Sequence, residues 1–311
     1  MSKLVDLIVS ETGLPPSDVL RLIRSAPRRY KVYRIPKRSG GEREIAQPAR
    51  EIKLLQRVLV DKVLSSLPVH RAATAYMKGC SIAANASYHA GSGPILKMDF
   101  RDFFPSIRAE DWVLFCRNTH VFDENDAELS AQILFRRAKH EHVLKLSIGA
   151  PSSPILSNIL LMPFDTMVMA EASKRHIRYT RYADDLTFSG QRIGMLKDMI
   201  DVVRLTVRQV QRPKLTVNLD KTTFVTAKHR RVVTGVTLAN DGLLSLGHDK
   251  KRRLSAAVHR AIHGGLDSKE LLSLSGDLAF AKVIEPSFLD RLARKYGPEA
   301  VQMIRHAPRQ S

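Results

Sequence analysis

The chain has 311 residues, 44% of them hydrophobic, which is enough apolar material for a sizeable core and excludes a disordered chain. Fifty Lys and Arg against 31 Asp and Glu leave a formal charge of +19, with the basic residues spread along the chain as far as Arg309 instead of gathered in one amphipathic stripe. That distribution favours a nucleic-acid partner over a membrane surface, with phosphate neutralisation supplying much of the affinity.

The start, MSKLVDLIVSETG, carries acidic residues where a signal peptide would stay apolar, and no apolar run is long enough to cross a bilayer, so the protein is expected in the cytoplasm. The first helical segment runs to about Arg29, with Ser17 in LPPSDVLRLI a candidate cap before Val19, Leu20 and Ile23. Residues 30 to 47, YKVYRIPKRSGGEREIAQ, predict a basic hairpin turning on Ser39, Gly40 and Gly41, with Lys37, Arg38 and Arg43 crowding its tip. Ile52, Leu55, Leu59, Val63 and Leu67 then recur at helical spacing until Pro68. ILKMDF, residues 95 to 100, predicts a short strand that Pro105 keeps from continuing, which places Asp99 at a strand end. Ile193, Leu196, Ile200, Val203, Val207 and Val210 define an amphipathic helix ended before Pro213, and LTVN after it predicts a strand. From about Asp249 the chain is helical again, with a glycine pair after HRAIH and a capping box at Asp267 and Glu270. The basic face of this part could hold a nucleic-acid backbone or be an ordinary solvated face. Cys80 and Cys116 have neither metal-ligand spacing nor a disulfide framework and are expected as reduced, buried thiols. His140 and His142 stand two residues apart and would diverge on a helix, which argues against a metal site there.

Asp99 and the adjacent pair Asp184 and Asp185 each sit in a short β-rich, apolar segment, where a carboxylate is costly unless a cation or hydrogen bonds offset its charge. Three hard oxygen ligands with room for water and phosphate suit Mg²⁺, and two such ions about 3.5 to 4 Å apart could activate a hydroxyl and stabilise a leaving phosphate oxygen. Neighbouring side chains on a regular strand point to opposite faces, so Asp184 and Asp185 can share a site only at a hairpin turn, with Asp184 the firmer ligand.

YADD, with MDFRDFFPSI upstream and GAPSSPILSN between them, resembles the palm motifs of reverse transcriptases. NASYH (85 to 89) and VTG (233 to 235) resemble the NAxxH and VTG elements of retron reverse transcriptases, and the five motifs keep that family's order across residues 28 to 240. The resemblance implies an α+β, right-hand polymerase architecture: fingers over 1–90, a palm of antiparallel sheet and helices over 91–240, and a helical thumb over 241–311. It implies RNA-directed DNA synthesis from deoxynucleotides with two Mg²⁺ ions. The template would be a cognate structured non-coding RNA, primed from a guanosine 2′-OH, giving branched, RNA-linked single-stranded DNA (msDNA). It further implies an anti-phage defence system with a separate effector protein, and host ribonuclease H to remove copied RNA. The rivals are a group II intron-like or diversity-generating reverse transcriptase, neither of which accounts for NASYH together with VTG, and a non-catalytic RNA-binding scaffold for an effector.

Residue by residue, the resemblance makes Asp99, Asp184 and Asp185 the catalytic metal ligands, with the Phe100 carbonyl an additional one. Phe104 matches a steric gate against the ribose 2′-OH, core packing being its alternative. Lys37 and Arg43 match cations that grip the triphosphate, Arg38 being a solvated neighbour, and Lys221 matches a lysine that protonates or stabilises departing pyrophosphate, a surface lysine being its alternative. Asp102 is expected in a local turn or salt bridge. Gly149 and Ala150, with Pro151, suit a tight loop beside the nucleotide. Ile148 stands where the family usually has glutamine and cannot make that residue's hydrogen bonds. Asn85 and His89 are expected to serve the RNA or finger structure, and Val233, Thr234 and Gly235 the primer-template.

Overall fold

The computed structural model describes residues 2–37 and 40–306. Arg38 and Ser39 of the expected turn lie outside the described residues.

The first helical segment divides into α1 (Lys3–Thr12) and α2 (Pro16–Ser25), because Gly13 takes a left-handed φ of 69° and two prolines follow. The cap position of α2 is Pro15, and Pro16 opens the helix where its missing N–H has no partner to lose, so Ser17 lies inside the first turn and not at the cap. Strands β1 (Tyr30–Pro36) and β2 (Glu42–Pro48) form the expected hairpin, paired antiparallel from Tyr30 with Pro48 to Pro36 with Glu42. Helix α3 (Arg50–Lys62) buries Ile52, Leu55 and Leu59, and α4 (Ile82–His89) carries NASYH. Then come β3 (Ile95–Asp99), the one-turn α5 (Phe103–Ser106), α6 (Ala109–Thr119), α7 (Glu124–Leu134), and a small hairpin of β4 (Arg136–Arg137) and β5 (Leu144–Lys145).

Two helices, α8 (Ser153–Leu160) and α9 (Met162–Lys174), lead into β6 (Arg178–Tyr182) and β7 (Asp185–Ser189), followed by the long α10 (Ile193–Val210). LTVN, expected as a strand, supplies only a single antiparallel bridge from Val217 to Phe100. The chain ends through β8 (Thr223–Val225), β9 (Arg231–Val233), β10 (Val236–Leu238), β11 (Leu244–Ser245), α11 (His248–Ile262), α12 (Ser268–Ile284), α13 (Pro286–Tyr296) and α14 (Pro298–Arg305). The capping box at Asp267 and Glu270 is formed, each side chain accepting the other residue's N–H.

The sheet that carries the acidic motifs has the order β6-β7-β3-β8. Its strands β3 and β7 are buried along most of their length, through the apolar Ile95, Leu96 and Met98 of β3 and Leu186 and Phe188 of β7 and the small hydroxyl residues Thr187 and Ser189. By packing, the chain divides into two units, one of Met1–Gly79, Leu96–Phe188 and Gly194–Thr223, the other of Cys80–Ile95, Ser189–Ile193 and Phe224–Ser311. Residues 80–95 therefore group with the C-terminal helices, not with the N-terminal segment. In the second unit Ala83 and Ala86 of α4 join Val233, Val236 and Leu238 and the helical residues Leu254, Val258, Leu278 and Phe288 in one core. Cys116 is buried, and burial pushes its thiol up to about 12, whereas Cys80 is exposed, contrary to expectation, because it sits in the loop before α4. No single described helix is long and apolar enough to cross a membrane.

Candidate active site

Asp99 is the last residue of β3, and its main chain is held by the segment that precedes Lys221. The Asn218 N–H donates to the Asp99 carbonyl (2.7 Å), and the Arg101 N–H donates to the Thr216 carbonyl (2.8 Å). The Phe100 N–H donates to the Asp184 carbonyl (3.2 Å), which ties the end of β3 to the hairpin carrying the acidic pair.

Only Ala183 and Asp184 separate β6 from β7, and Ala183 takes φ 57°, a left-handed conformation uncommon for a residue with a Cβ. The turn resolves the geometric problem of adjacent carboxylates: Asp184 occupies it and Asp185 opens β7. Lys221 reaches the same place, its Nζ 2.9 and 3.1 Å from the two oxygens of Asp99.

The acidic groups feel one another. Burial, then the charge of Asp99, raises Asp184 above the usual carboxylate range, with Lys221 and Arg43 pulling the other way. Burial, then the charge of Asp184, pushes Asp185 up to about 6. The hydrogen bond to Asp99 raises Lys221. Repelling carboxylates that are partly dehydrated are stabilised by a hard cation, and an all-oxygen set of this kind fits Mg²⁺ by its donor chemistry. Asp99 places both oxygens on Lys221, and among the described residues no three acidic, His or Cys side chains stand as a closed metal cluster.

Beneath the turn lies a charged network that the sequence reading missed. Arg181 and Asp165 are both 0% exposed. The Arg181 Nε donates to both Asp165 oxygens (2.9 and 3.1 Å), and its second terminal nitrogen donates to Asp165 Oδ2 at 2.6 Å. The remaining nitrogen donates to the Asn158 side-chain oxygen and to the Ala183 carbonyl, each at 3.1 Å. Burial alone would depress the guanidinium, but the charge and hydrogen bonds of Asp165 outweigh it and hold Arg181 protonated. The Tyr179 hydroxyl donates to Asp165 at 2.8 Å, and burial keeps that phenol well above its ordinary value. The signal available in sequence was Asp165 itself, a lone carboxylate in the apolar helix MPFDTMV on the same buried face as Val168 and Ala172.

Sequence comparison assigns the fold seen here. Residues 35–238 match the family model for reverse transcriptase (RNA-dependent DNA polymerase). The retron Ec83 reverse transcriptase of Escherichia coli is 38% identical over 300 residues, covering 95% of each chain. The retron Ec73 enzyme of the same organism is 32% identical, covering 96% of each. The chain belongs to the retron reverse transcriptases. The fold is also that of telomerase from Candida albicans, with a TM-score of 0.51 and 12% identity over 92% of this chain and 62% of that one. RNA-directed DNA polymerase activity follows from the family.

The other expected site residues of this retron reverse transcriptase fall into two groups. In the first unit, Arg43 is exposed on β2 and its charge acts on Asp184, while Lys37 is exposed at the end of β1, where its N–H donates to the Gly41 carbonyl (2.9 Å). Phe104 is half-buried on α5, its ring edge-on to Phe103, which is buried and stacked on Phe100. Asp102 takes φ 44°, and its carbonyl accepts the Ser106 N–H and hydroxyl, so it forms a local turn. Gly149 has φ 116°, a conformation that favours glycine, and a Cβ there would lie a tight 3.1 Å from the Ala46 carbonyl oxygen. The Ile148 carbonyl accepts the Ala46 N–H at 2.8 Å, so this position docks β2 through its backbone whatever its side chain. Ala150 is buried and its side chain faces protein.

Tyr76 was not anticipated. It is 52% exposed with φ 62°, its ring 6.3 Å from that of Tyr182, and the charges of Asp184 and Arg43 both act on its hydroxyl. Its loop is tied to the buried network, because the Asn158 amide donates to the Ala75 carbonyl (2.8 Å) and the Thr74 N–H to the Arg181 carbonyl (2.9 Å).

In the second unit, Asn85 and His89 lie on the buried face of α4, with His89 Nδ1 2.7 Å from the Ser189 hydroxyl. Their burial favours the structural half of the expectation for NASYH over direct RNA contact by these side chains. VTG is a β-turn: Val233 is buried, and Thr234 (φ 46°) and Gly235 (φ 82°) are the two residues between β9 and β10, the positive-φ pattern of a tight hairpin. The Thr234 hydroxyl donates to the Ile82 carbonyl (3.1 Å), which ties the VTG turn to the first residue of the helix that carries NASYH.

Proposed function

We propose that the chain copies a cognate structured non-coding RNA into single-stranded DNA in the cytoplasm, starting from a guanosine 2′-OH of that RNA. The product is msDNA, branched through a 2′,5′ linkage. The observation that carries the catalytic part is the turn at Ala183 and Asp184, which brings the acidic pair into electrostatic contact with Asp99 and Lys221.

Asp99, Asp184 and Asp185, with the Phe100 carbonyl, would hold two Mg²⁺ ions, which supply activation of the attacking hydroxyl and stabilisation of the leaving oxygen. The primer hydroxyl oxygen bonds to the α-phosphorus of a deoxynucleoside triphosphate, the bond to pyrophosphate breaks, and the hydroxyl proton passes to solvent water. Arg43 and Lys37 bind the triphosphate as charge-assisted donors. Lys221, with its side chain 58% exposed and its ammonium already beside Asp99, meets the charge that develops on pyrophosphate. Phe104 limits the space at the sugar's 2′ position, and the backbone at Gly149 and Ala150 lines the nucleotide. The polymerase would hold its substrate with fingers (1–90), palm (91–240) and thumb (241–311), residues 80–90 packing in the unit of the C-terminal helices, and with Thr234 and Gly235 beside the primer-template. The enzyme would act in an anti-phage defence system with a separate effector, and host ribonuclease H would remove copied RNA.

Replacing Asp184→Asn together with Asp185→Asn is expected to abolish DNA synthesis and leave RNA binding intact. Persistent synthesis would sink the metal assignment. Purification with the RNA encoded beside the gene should yield DNA sensitive to a debranching enzyme, and linear DNA alone would refute the priming mode.

A further inference from the structure

The two sides of β1 hold cations that the polymerase site does not use. On one side a groove of about 710 Å³ runs between Arg28, Tyr30 and Val32 and the β4–β5 hairpin, residues 136 to 142. Its acidic residue, Glu141, is neutralised by Lys145 (2.7 Å), and Arg136 pairs with Glu44 (2.7 Å). Arg28, Arg137 and Lys139 have no carboxylate partner among the described residues, and the Arg137 Nε is buried without an acceptor. A buried donor left unmet is costly, so the chain alone does not satisfy this Nε. A second groove of about 540 Å³ shares Arg28 and Tyr30 and adds Lys31 and Lys53, also without carboxylate partners among the described residues. The cations that act on Asp184 and Asp185 are Arg43, Lys97 and Lys221, none of which lines either groove.

We infer that these joined grooves are a second RNA-binding site, which holds the sugar-phosphate backbone of a helical stem outside the polymerase site. Like charges gathered in concave surfaces focus a positive potential, and two grooves continuous through Arg28 suit a run of phosphates better than one small anion. The Tyr30 hydroxyl accepts from the Gln56 amide (3.0 Å), and burial pushes its phenol up to about 12, while His140 and His142 are the exposed rings of the larger groove. Arg28, Lys31, Lys53, Arg137 and Lys139, none with a carboxylate partner among the described residues, outnumber those rings, so the grooves meet backbone phosphates more than splayed bases, as in duplex RNA recognised by shape and backbone. The inference rests on the reading of the chain as a polymerase of a structured RNA.

The test compares full-length protein with Arg28→Ala/Lys139→Ala, both exposed side chains whose loss leaves the core untouched, and with a triple variant that adds Arg137→Ala. The probes are an RNA stem-loop of about 20 base pairs without a single-stranded tail, a short RNA template with a DNA primer, and phosphatidylserine vesicles. The double variant is expected to lose about tenfold in stem-loop affinity, with a slope of log affinity against log salt shallower by about 2. Nucleotide incorporation on the short primer-template stays unchanged. Unaltered stem-loop affinity and slope would overturn the site, as would an equal loss of primer extension, which would assign these cations to the polymerase cleft. Loss of vesicle binding with RNA binding retained would overturn it in favour of a membrane surface. A parent protein that extends no primer, yet loses stem-loop affinity only in the variants, would refute the polymerase reading and leave the groove standing.

Discussion

Asp165→Asn keeps the shape of the buried side chain and removes its charge. Arg181 then stays at 0% exposure with only Asn158, Ala183 and one amide oxygen as acceptors, and Tyr179 loses a charged acceptor. Removing one member of a buried ion pair costs about 3–5 kcal/mol, because the other charge is left uncompensated. At about 2–4 °C per kcal/mol for a large domain, the melting temperature should fall by roughly 6 to 20 °C. A second variant separates stability from positioning. Asp165→Leu with Arg181→Met removes both charges, which is often neutral or stabilising, but leaves the Ala183 carbonyl without the donor that anchors the acidic turn. Calorimetry should show the double variant recovering most of the lost stability. Primer extension should show kcat still depressed by about 100-fold, the effect of an error of about 1 Å in a reacting group, with RNA affinity unchanged. A double variant that regains full turnover would show that the network only fills space, and an Asp165→Asn protein that melts within about 1 °C of the parent would refute the energetic argument.

Phe104→Ala should relax discrimination against ribonucleotides, read as the ratio of kcat/KM for a deoxynucleotide to that for its ribonucleotide; an unchanged ratio would remove the gate. Asp185, raised to about 6 in the folded protein from an ordinary value near 4, favours folding when protonated. Its contribution is fully present below the unfolded pKa and is lost as pH rises through about 6, so in chelator the parent should lose stability relative to Asp185→Asn between pH 4 and 7. A constant difference in melting temperature across that window would contradict the shift. Gly149→Ala forces a Cβ into a φ of 116° beside the Ala46 carbonyl. It should cost about 1–3 kcal/mol and raise KM for deoxynucleotides, whereas wild-type KM and melting temperature would show the loop to be permissive.

The acidic turn was legible because strand geometry leaves adjacent carboxylates no other way to share a site. The hairpin at 30 to 47 was legible from the turn residues between its two arms, and the helix at 193 to 210 from its apolar periodicity. Less could be read where a residue's partner is distant in sequence. NASYH and VTG were recognisable strings, but their physical roles depend on pairings such as Thr234 with Ile82 and His89 with Ser189, which no local pattern encodes. Ser17 resembled a cap, yet Pro16 already supplies the φ of a first helical residue. LTVN has strand composition but forms only a single bridge, Val217 to Phe100, closed by backbone bonds to Asp99 and Arg101. Arg181 was hidden for the opposite reason: in YTRYADD a basic residue on a strand suggests a solvated face, and only the position of Asp165 on a separate helix reverses that reading.

The buried network and the repelling aspartates are two parts of one arrangement. Like charges held together tend to push the turn open, and a two-residue connection with a left-handed alanine has little intrinsic preference for its shape. Both carbonyls of that connection are held from outside it, Ala183 by the Arg181 guanidinium and Asp184 by the Phe100 amide next to Asp99. Backbone bonds therefore fix where the carboxylates stand while their side chains remain electrostatically unsatisfied. The same guanidinium, through Asn158 and the Arg181 backbone, fixes the loop that presents Tyr76 beside them. A change at Asp165 should therefore reach the nucleotide through two elements at once, and its effect on turnover should exceed that of Tyr76→Ala alone.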